Sequence, residues 1–193
     1  MNTTAIPEKG RNFDDVLSEL KSFGQDDPDY KTGKTWSLVY YLDEQFSDFL
    51  NDAGRIYSSA NGLNPMAFKS LKRFEAEVVK MTANLLNADD KACGIMTSGG
   101  TESCLLAVKT YRDMAKKLRK VKYPEMIIPA SAHVAWEKGA EYFGVKPIRI
   151  PLKDDFKVDT QKVEKAINKR TVMILGSAPG YPHGVIDDIE ALG

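Results

Sequence analysis

Cysteine and histidine are scarce in this sequence: its 193 residues carry two of each, Cys93, Cys104, His133 and His183. The two cysteines offer no metal-ligand spacing, and two histidines cannot complete a zinc-type cluster. Unclustered cysteines fit a reducing cytosol better than a disulfide framework, so the expected localisation is cytoplasmic. Charge of either sign is not in excess. Lys+Arg and Asp+Glu both number 27, giving a formal net charge of zero, and bulk charge therefore points to neither nucleic acid nor an anionic membrane. No apolar run approaches the roughly 20 residues of a membrane helix, so no transmembrane segment is expected. The first ten residues lack the apolar stretch of a secretory signal. Internal repeats and low-complexity tracts are absent too. What remains is 42% hydrophobic and 28% charged residues, ordinary for a soluble globular protein with a sizeable core. The length suits one domain, with or without an N-terminal extension.

The first half of the chain reads as helical. Phe13, Val16, Leu17 and Leu20 recur at helical spacing between Arg11 and Phe23, and Gly24 then breaks the pattern. Gln25 to Thr35 reads as a loop, Leu42 to Leu50 as a short helix and Asn61 to Pro65 as a stop. From Met66 to Leu86 apolar residues return every three or four positions, the mark of a long amphipathic helix. After Gly100 the pattern alternates. Helices are predicted over Thr101 to Leu118, Ala132 to Phe143 (closed by Gly144) and Asp159 to Asn168, with Asp159 as N-cap. Short apolar strands are predicted over Met126 to Ala130, Pro147 to Leu152 and Thr171 to Leu175. This alternation predicts an α/β fold, a parallel sheet with helices on its faces, preceded by a helical arm of about 65–90 residues.

The most informative stretch is Thr97-Ser98-Gly99-Gly100-Thr101-Glu102-Ser103, followed at once by a helix. Two glycines let backbone N–H groups turn toward a ligand, and a helix start supplies unpaired donors and the positive end of a dipole. Thr101 adds a hydroxyl. Together they make an anion site, most simply for phosphate; an ordinary loop with a capped helix has the same composition. The stretch is neither a P-loop, since no Gly-Lys-Ser/Thr follows, nor a dinucleotide fingerprint.

With Gly94-Ile95-Met96 before it and Tyr111-Arg112-Asp113 on the next helix, this run resembles the phosphate cup of the sphingosine-1-phosphate lyases, in the group II pyridoxal-phosphate (PLP) decarboxylase family. Two further segments agree in order and spacing. Ser131-Ala132-His133, followed by Tyr142-Phe143-Gly144, resembles the family's cofactor-stacking segment. Gly176-Ser177-Ala178-Pro179-Gly180-Tyr181-Pro182-His183-Gly184-Val185-Ile186-Asp187 resembles its active-site loop. The likeness runs from about Tyr40 to Gly193. It implies a PLP-dependent transferase-like (fold-type I) large domain, here incomplete, with residues 1–65 as a helical arm and 66–193 as the first part of the PLP-binding domain.

The resemblance also implies roles. Gly100 and Thr101 would hold the PLP phosphate and His133 would stack on the pyridine ring. Tyr181, in a loop after a central strand, would exchange a proton beside the substrate hydroxyl. His183, two residues on, is a lesser substrate-binding candidate. Tyr40 and Asn61 would meet the amino-phosphate end of the substrate. Where the family has a histidine three residues beyond that asparagine, this chain has Asn64, which cannot carry a positive charge and lowers the expected phosphate affinity. By composition alone His133 could be a capping or packed histidine, Tyr181 a loop aromatic packing on the surface, and Tyr40 and Asn61 ordinary turn or core residues. The implied reaction cleaves a phosphorylated sphingoid base to a long-chain aldehyde and phosphoethanolamine, in a homodimer, without nucleic acid. The family's Schiff-base lysine and the acid on the pyridine nitrogen lie beyond the segment matching Gly176 to Asp187, so the chain is expected to be a fragment, inactive alone. A PLP-dependent amino-acid decarboxylase and a non-catalytic, partner-binding remnant are the alternatives.

Overall fold

The computed structural model describes Ile6, residues 8–35 and residues 39–193. The chain divides into two compact units, Met1–Arg73 and Phe74–Gly193.

The first unit is helical. Helix α1 (Phe13–Phe23) starts where the Asn12 side chain accepts the Asp14 N–H, and α2 (Glu44–Ile56) starts where Asp43 accepts the Phe46 N–H at 2.7 Å. Each is an N-cap satisfying a donor that the helix itself leaves without a partner. Neither helix has a buried residue. The stretch expected to be loop contains one 3-10 turn, Tyr30–Thr32, closed by Gly33 in the left-handed region. Helix α3 (Lys69–Leu85), of which only 69–73 belong to this unit and the rest to the second, begins three residues later than its periodicity suggests, because 65–67 form a turn capped by Asn64, whose side chain accepts the Ala67 N–H.

The second unit holds the sheet. Its elements follow as α4 (Gly100–Arg119), β1 (Glu125–Pro129), α5 (Val134–Phe143), β2 (Lys146–Ile150), α6 (Thr160–Ala166), β3 (Thr171–Ile174) and α7 (Ile189–Leu192). The strands are parallel in the order β2-β1-β3. The central strand β1 is buried along its whole length. Alternate residues serve opposite faces: Met126 and Ile128 join Val108, Ala115, Ala140 and Val145 under α4 and α5, while Ile127 joins Ile150, Val158 and Val163 on the side of α6. A strand covered on both faces reads as a continuous apolar run, as Met126-Ile127-Ile128 does. The chain moves from β1 outward to β2 through α5, then back past β1 to β3 through α6. Right-handed crossovers in opposite directions put their helices on opposite faces, and the two core clusters show that they do.

At the start of the strands, buried Glu125 pairs with Arg170 at 2.8 Å and accepts the Asn168 side-chain N–H. A buried carboxylate is tolerated only when its charge is met in this way. Arg119, at the end of α4, donates to the Thr171 carbonyl. The C-terminus of α4 therefore lies at the amino end of the sheet, and its N-terminus at the carboxyl end.

Candidate functional site

The carboxyl ends of the strands, at the point where the connections diverge, are where an open parallel sheet forms a crevice. Two helix N-termini face that end. In α5, Gly139 packs so closely on α4 that a Cβ there would lie 3.2 Å from Val108 Cγ2 and 3.5 Å from Leu105 Cα. At 1.5 Å per residue, His133 and Gly100 both stand about 9–12 Å beyond that crossing in the same direction. Two of the predicted positions are thereby brought to one end of one layer.

Helix α4 begins at Gly100, one residue before its expected start, with Gly99 as N-cap. No side chain caps it, in contrast to the threonine or serine cap an ordinary loop would use. The loop instead closes on itself. Glu102 Oε2 accepts the Ser98 N–H at 2.6 Å, the hydroxyls of Thr97 and Ser103 lie 2.7 Å apart, and Thr97 donates to the Gly99 carbonyl. The Ser98 N–H, and then its hydroxyl, hold the Glu102 carboxyl below its ordinary range. The first intrahelical bond is Ser103 N–H to the Gly99 carbonyl, so the N–H groups of Gly100, Thr101 and Glu102 precede it without an intrahelical acceptor. A Cβ built on Gly99 or Gly100 meets nothing within 4 Å. Packing does not demand these glycines; their effect is to leave the donors uncovered. Three open donors at a helix's positive end fit a phosphate monoester well. Beside them a groove of about 580 Å³ is lined by Val78, Val79, Ile95, Met96, Gly99 and Gly100, among others.

His133 is the N-cap of α5. Its Nδ1 accepts the Ala135 N–H at 3.1 Å, which leaves the proton of the neutral ring on Nε2. The capping role and exposure to solvent coexist, because only one ring atom is engaged.

The loop after β3 is held by a residue to which the sequence assigns no role. Asp187 is buried, its Oδ1 accepting the Val158 N–H at 2.7 Å and its Oδ2 the Ser177 N–H at 2.8 Å. Backbone bonds from Gly180 to Val185 and from Gly184 to Gly180 fold the segment between into a tight turn. Gly184 at φ 65° occupies the left-handed region that favours glycine. Tyr181 projects from this turn, 61% exposed. His183 stacks on Phe156, with ring centroids 4.6 Å apart and planes 9° from parallel, so one face of its imidazole is occupied.

The remaining predicted positions lie in the first unit. Tyr40 is 98% exposed. Asn61 accepts the Leu63 N–H, and Asn64 the Ala67 N–H, both through the side-chain oxygen. Each amide caps a turn and keeps its NH₂ donors for another partner. The contributions of Asp187, Glu102 and the Thr97–Ser103 hydroxyl pair were missed. For Asp187 the available signal was an acid closing a glycine-rich loop beyond a buried strand.

Among the described residues no helix is long and apolar enough to cross a membrane, and no group of three or more potential metal ligands occurs.

The parallel sheet with an open anion cradle at its carboxyl end has the α/β fold of the PLP-dependent fold-type I enzymes, and the chain belongs to the aminotransferase class-V family, which matches residues 42–193. Its similarities are more particular. It is 40% identical over 95% of its length to sphingosine-1-phosphate lyase 1 of Mus musculus, and 43% identical over 99% to the sphingosine-1-phosphate lyase of Arabidopsis thaliana. It spans only about a third of each, 32% and 36% respectively. Among solved structures, the sphingosine-1-phosphate lyase of Burkholderia pseudomallei superposes with a TM-score of 0.87 at 36% identity, over 97% of this chain and 45% of that one. The glutamate decarboxylase of Lactobacillus brevis, at 20% identity and a TM-score of 0.80, shares the fold.

Proposed function

We propose that this chain forms the cofactor-phosphate-binding part of a PLP-dependent carbon–carbon lyase that cleaves phosphorylated sphingoid bases to a long-chain aldehyde and phosphoethanolamine. The observation that carries this reading is the uncapped, uncovered N-terminus of α4, placed at the carboxyl end of the sheet in a chain similar in sequence to sphingosine-1-phosphate lyases. Bound PLP supplies an electron sink for the carbon–carbon cleavage. The chain's own residues do the rest. Gly100 and Thr101 hold the phosphate through backbone N–H groups and the Thr101 hydroxyl. His133, fixed as N-cap through Nδ1, offers its ring face and Nε2–H beside the cofactor ring. Tyr181 takes the proton of the substrate's C3 hydroxyl as that carbon becomes the aldehyde and the C2–C3 bond breaks, and delivers a proton to C2, which leaves in phosphoethanolamine. Tyr40, Asn61 and Asn64 hydrogen-bond the substrate's phosphate end as neutral donors, with His183 nearby. We infer further that the working enzyme is a cytoplasmic homodimer with no nucleic-acid partner.

The test gives the full-length gene product, saturated with PLP, a phosphorylated sphingoid base and, separately, common amino acids. Release of long-chain aldehyde without carbon dioxide is expected. Carbon dioxide from an amino acid, with no aldehyde from the sphingoid base, would instead make the protein a decarboxylase.

A further inference from the structure

The chain is neutral as a whole, yet the end of α4 is not. Lys116-Lys117-Leu118-Arg119-Lys120-Val121-Lys122-Tyr123 contains five cations and no acid. A basic last turn is expected at the negative end of a helix dipole, and Arg119 is further engaged with the Thr171 carbonyl. That account does not reach Lys120 and Lys122, which lie beyond the helix. Lys116, Lys120 and Lys122 form no ion pair among the described residues, whereas Arg112, one turn earlier, is tied to Asp113 and to the Phe143 carbonyl. Arg112 and these three lysines line an open groove of about 620 Å³, floored by Val121, Pro124 and Phe143, with no carboxylate in its lining. In the same basic stretch, but outside the lining of the groove, Leu118 and Tyr123 are 71% and 77% exposed.

Cations interleaved with an exposed aliphatic and an exposed aromatic side chain match a bilayer interface rather than a free anion. Lysines meet headgroup phosphates while the apolar residues enter the headgroup boundary. A soluble phosphate would have no use for Leu118 and Tyr123. We propose that this face is a peripheral docking site for anionic phospholipid headgroups at a membrane surface. It lies at the opposite end of α4 from the phosphate cradle, about 30 Å away over the helix's 20 residues. The proposal is independent of the cofactor assignment, and either can fail without the other.

The experiment is vesicle flotation of the protein, since aggregates do not float. The chain should float with phosphatidylserine–phosphatidylcholine vesicles and not with phosphatidylcholine alone, and high salt should release it. The variant Lys116→Gln/Lys120→Gln/Lys122→Gln is expected to lose about tenfold or more in partition, whereas the triple Lys→Arg variant keeps it. A Leu118→Ser/Tyr123→Ser variant, unchanged in charge, should lose several-fold as well. Unaltered circular dichroism in each shows the fold intact. Absence of flotation on anionic vesicles, equal flotation of the triple Gln variant, indifference to the loss of both apolar residues, or retention by nucleic acid alone would each overturn the proposal.

Discussion

Removing the Asp187 carboxylate would leave two N–H donors without an acceptor, that of Val158 buried and that of Ser177 partly buried. Buried donors without partners cost about 1–3 kcal/mol each. Asp187→Ala is therefore expected to lower the unfolding free energy by an amount in that range or above it, measurable by urea denaturation, although Asp187 touches no reacting group in the proposed chemistry. An exposed residue behaves differently. Glu102 is held ionised by the Ser98 N–H and hydroxyl, so its folded-state pKa lies below the ordinary 4.5. A depressed carboxylate contributes stability above its unfolded pKa and loses it as pH falls through the folded value. Glu102→Gln should flatten the acid limb of the stability profile below about pH 4.5, and a wild-type profile with the same limb as the variant would contradict the assignment. At the cradle itself, Thr101→Val keeps the backbone donor and removes the hydroxyl. It should weaken PLP binding roughly ten- to 150-fold, the worth of one hydrogen bond to a charged group, as read by equilibrium dialysis.

Elements were legible in the sequence to the extent that local chemistry alone sets them. The sequence marks Asp159 as an N-cap, and it accepts the Lys162 N–H at 3.1 Å; it marks Gly144 as a C-cap, and Gly144 sits at φ 62° in the left-handed region. The central strand β1 is legible because a parallel strand buried on both faces is a short continuous apolar run, whereas β2, at the sheet's edge, sets Ile148 and Ile150 among the exposed Lys146 and Arg149. Boundaries moved where tertiary contact or turn chemistry intervened. The turn capped by Asn64 delays α3, and α4 starts at Gly100 because the Glu102 side chain closes back on Ser98. No periodicity reports the distance between two helices, so the close approach of α4 and α5 at Gly139 was invisible. Gly139→Leu places four carbons against Val108 and Leu105. Such overpacking costs about 1–3 kcal/mol, and a lowered thermal midpoint with unchanged secondary structure is the expected outcome. The loop after β3 was recognised as a motif, but its tethering to the segment after β2 through Asp187 is a contact 29 residues apart, which spacing cannot show.

For the molecule as a whole, strand order decides what the site can be. The order β2-β1-β3 sends the connections after β1 and β3 to opposite sides, which opens a crevice at their carboxyl ends, and α4 delivers its unfilled N-terminus to the same end. The sequence showed the parts, a glycine turn, a histidine and a loop tyrosine, while the crossover directions that gather the first two at one end of a layer exist only in the folded unit. Tyr40, Asn61 and Asn64 belong to the other compact unit, so their part in binding substrate rests on the resemblance and on the turn geometry that leaves their donors available. The account depends throughout on the phosphate of PLP lying on the α4 N-terminus. Amide ¹⁵N–¹H spectra of the labelled protein titrated with PLP test this most directly. The largest shifts are expected at Gly100, Thr101 and Glu102, diminished in Thr101→Val; shifts confined to residues away from this turn, or none at saturating PLP, would contradict it.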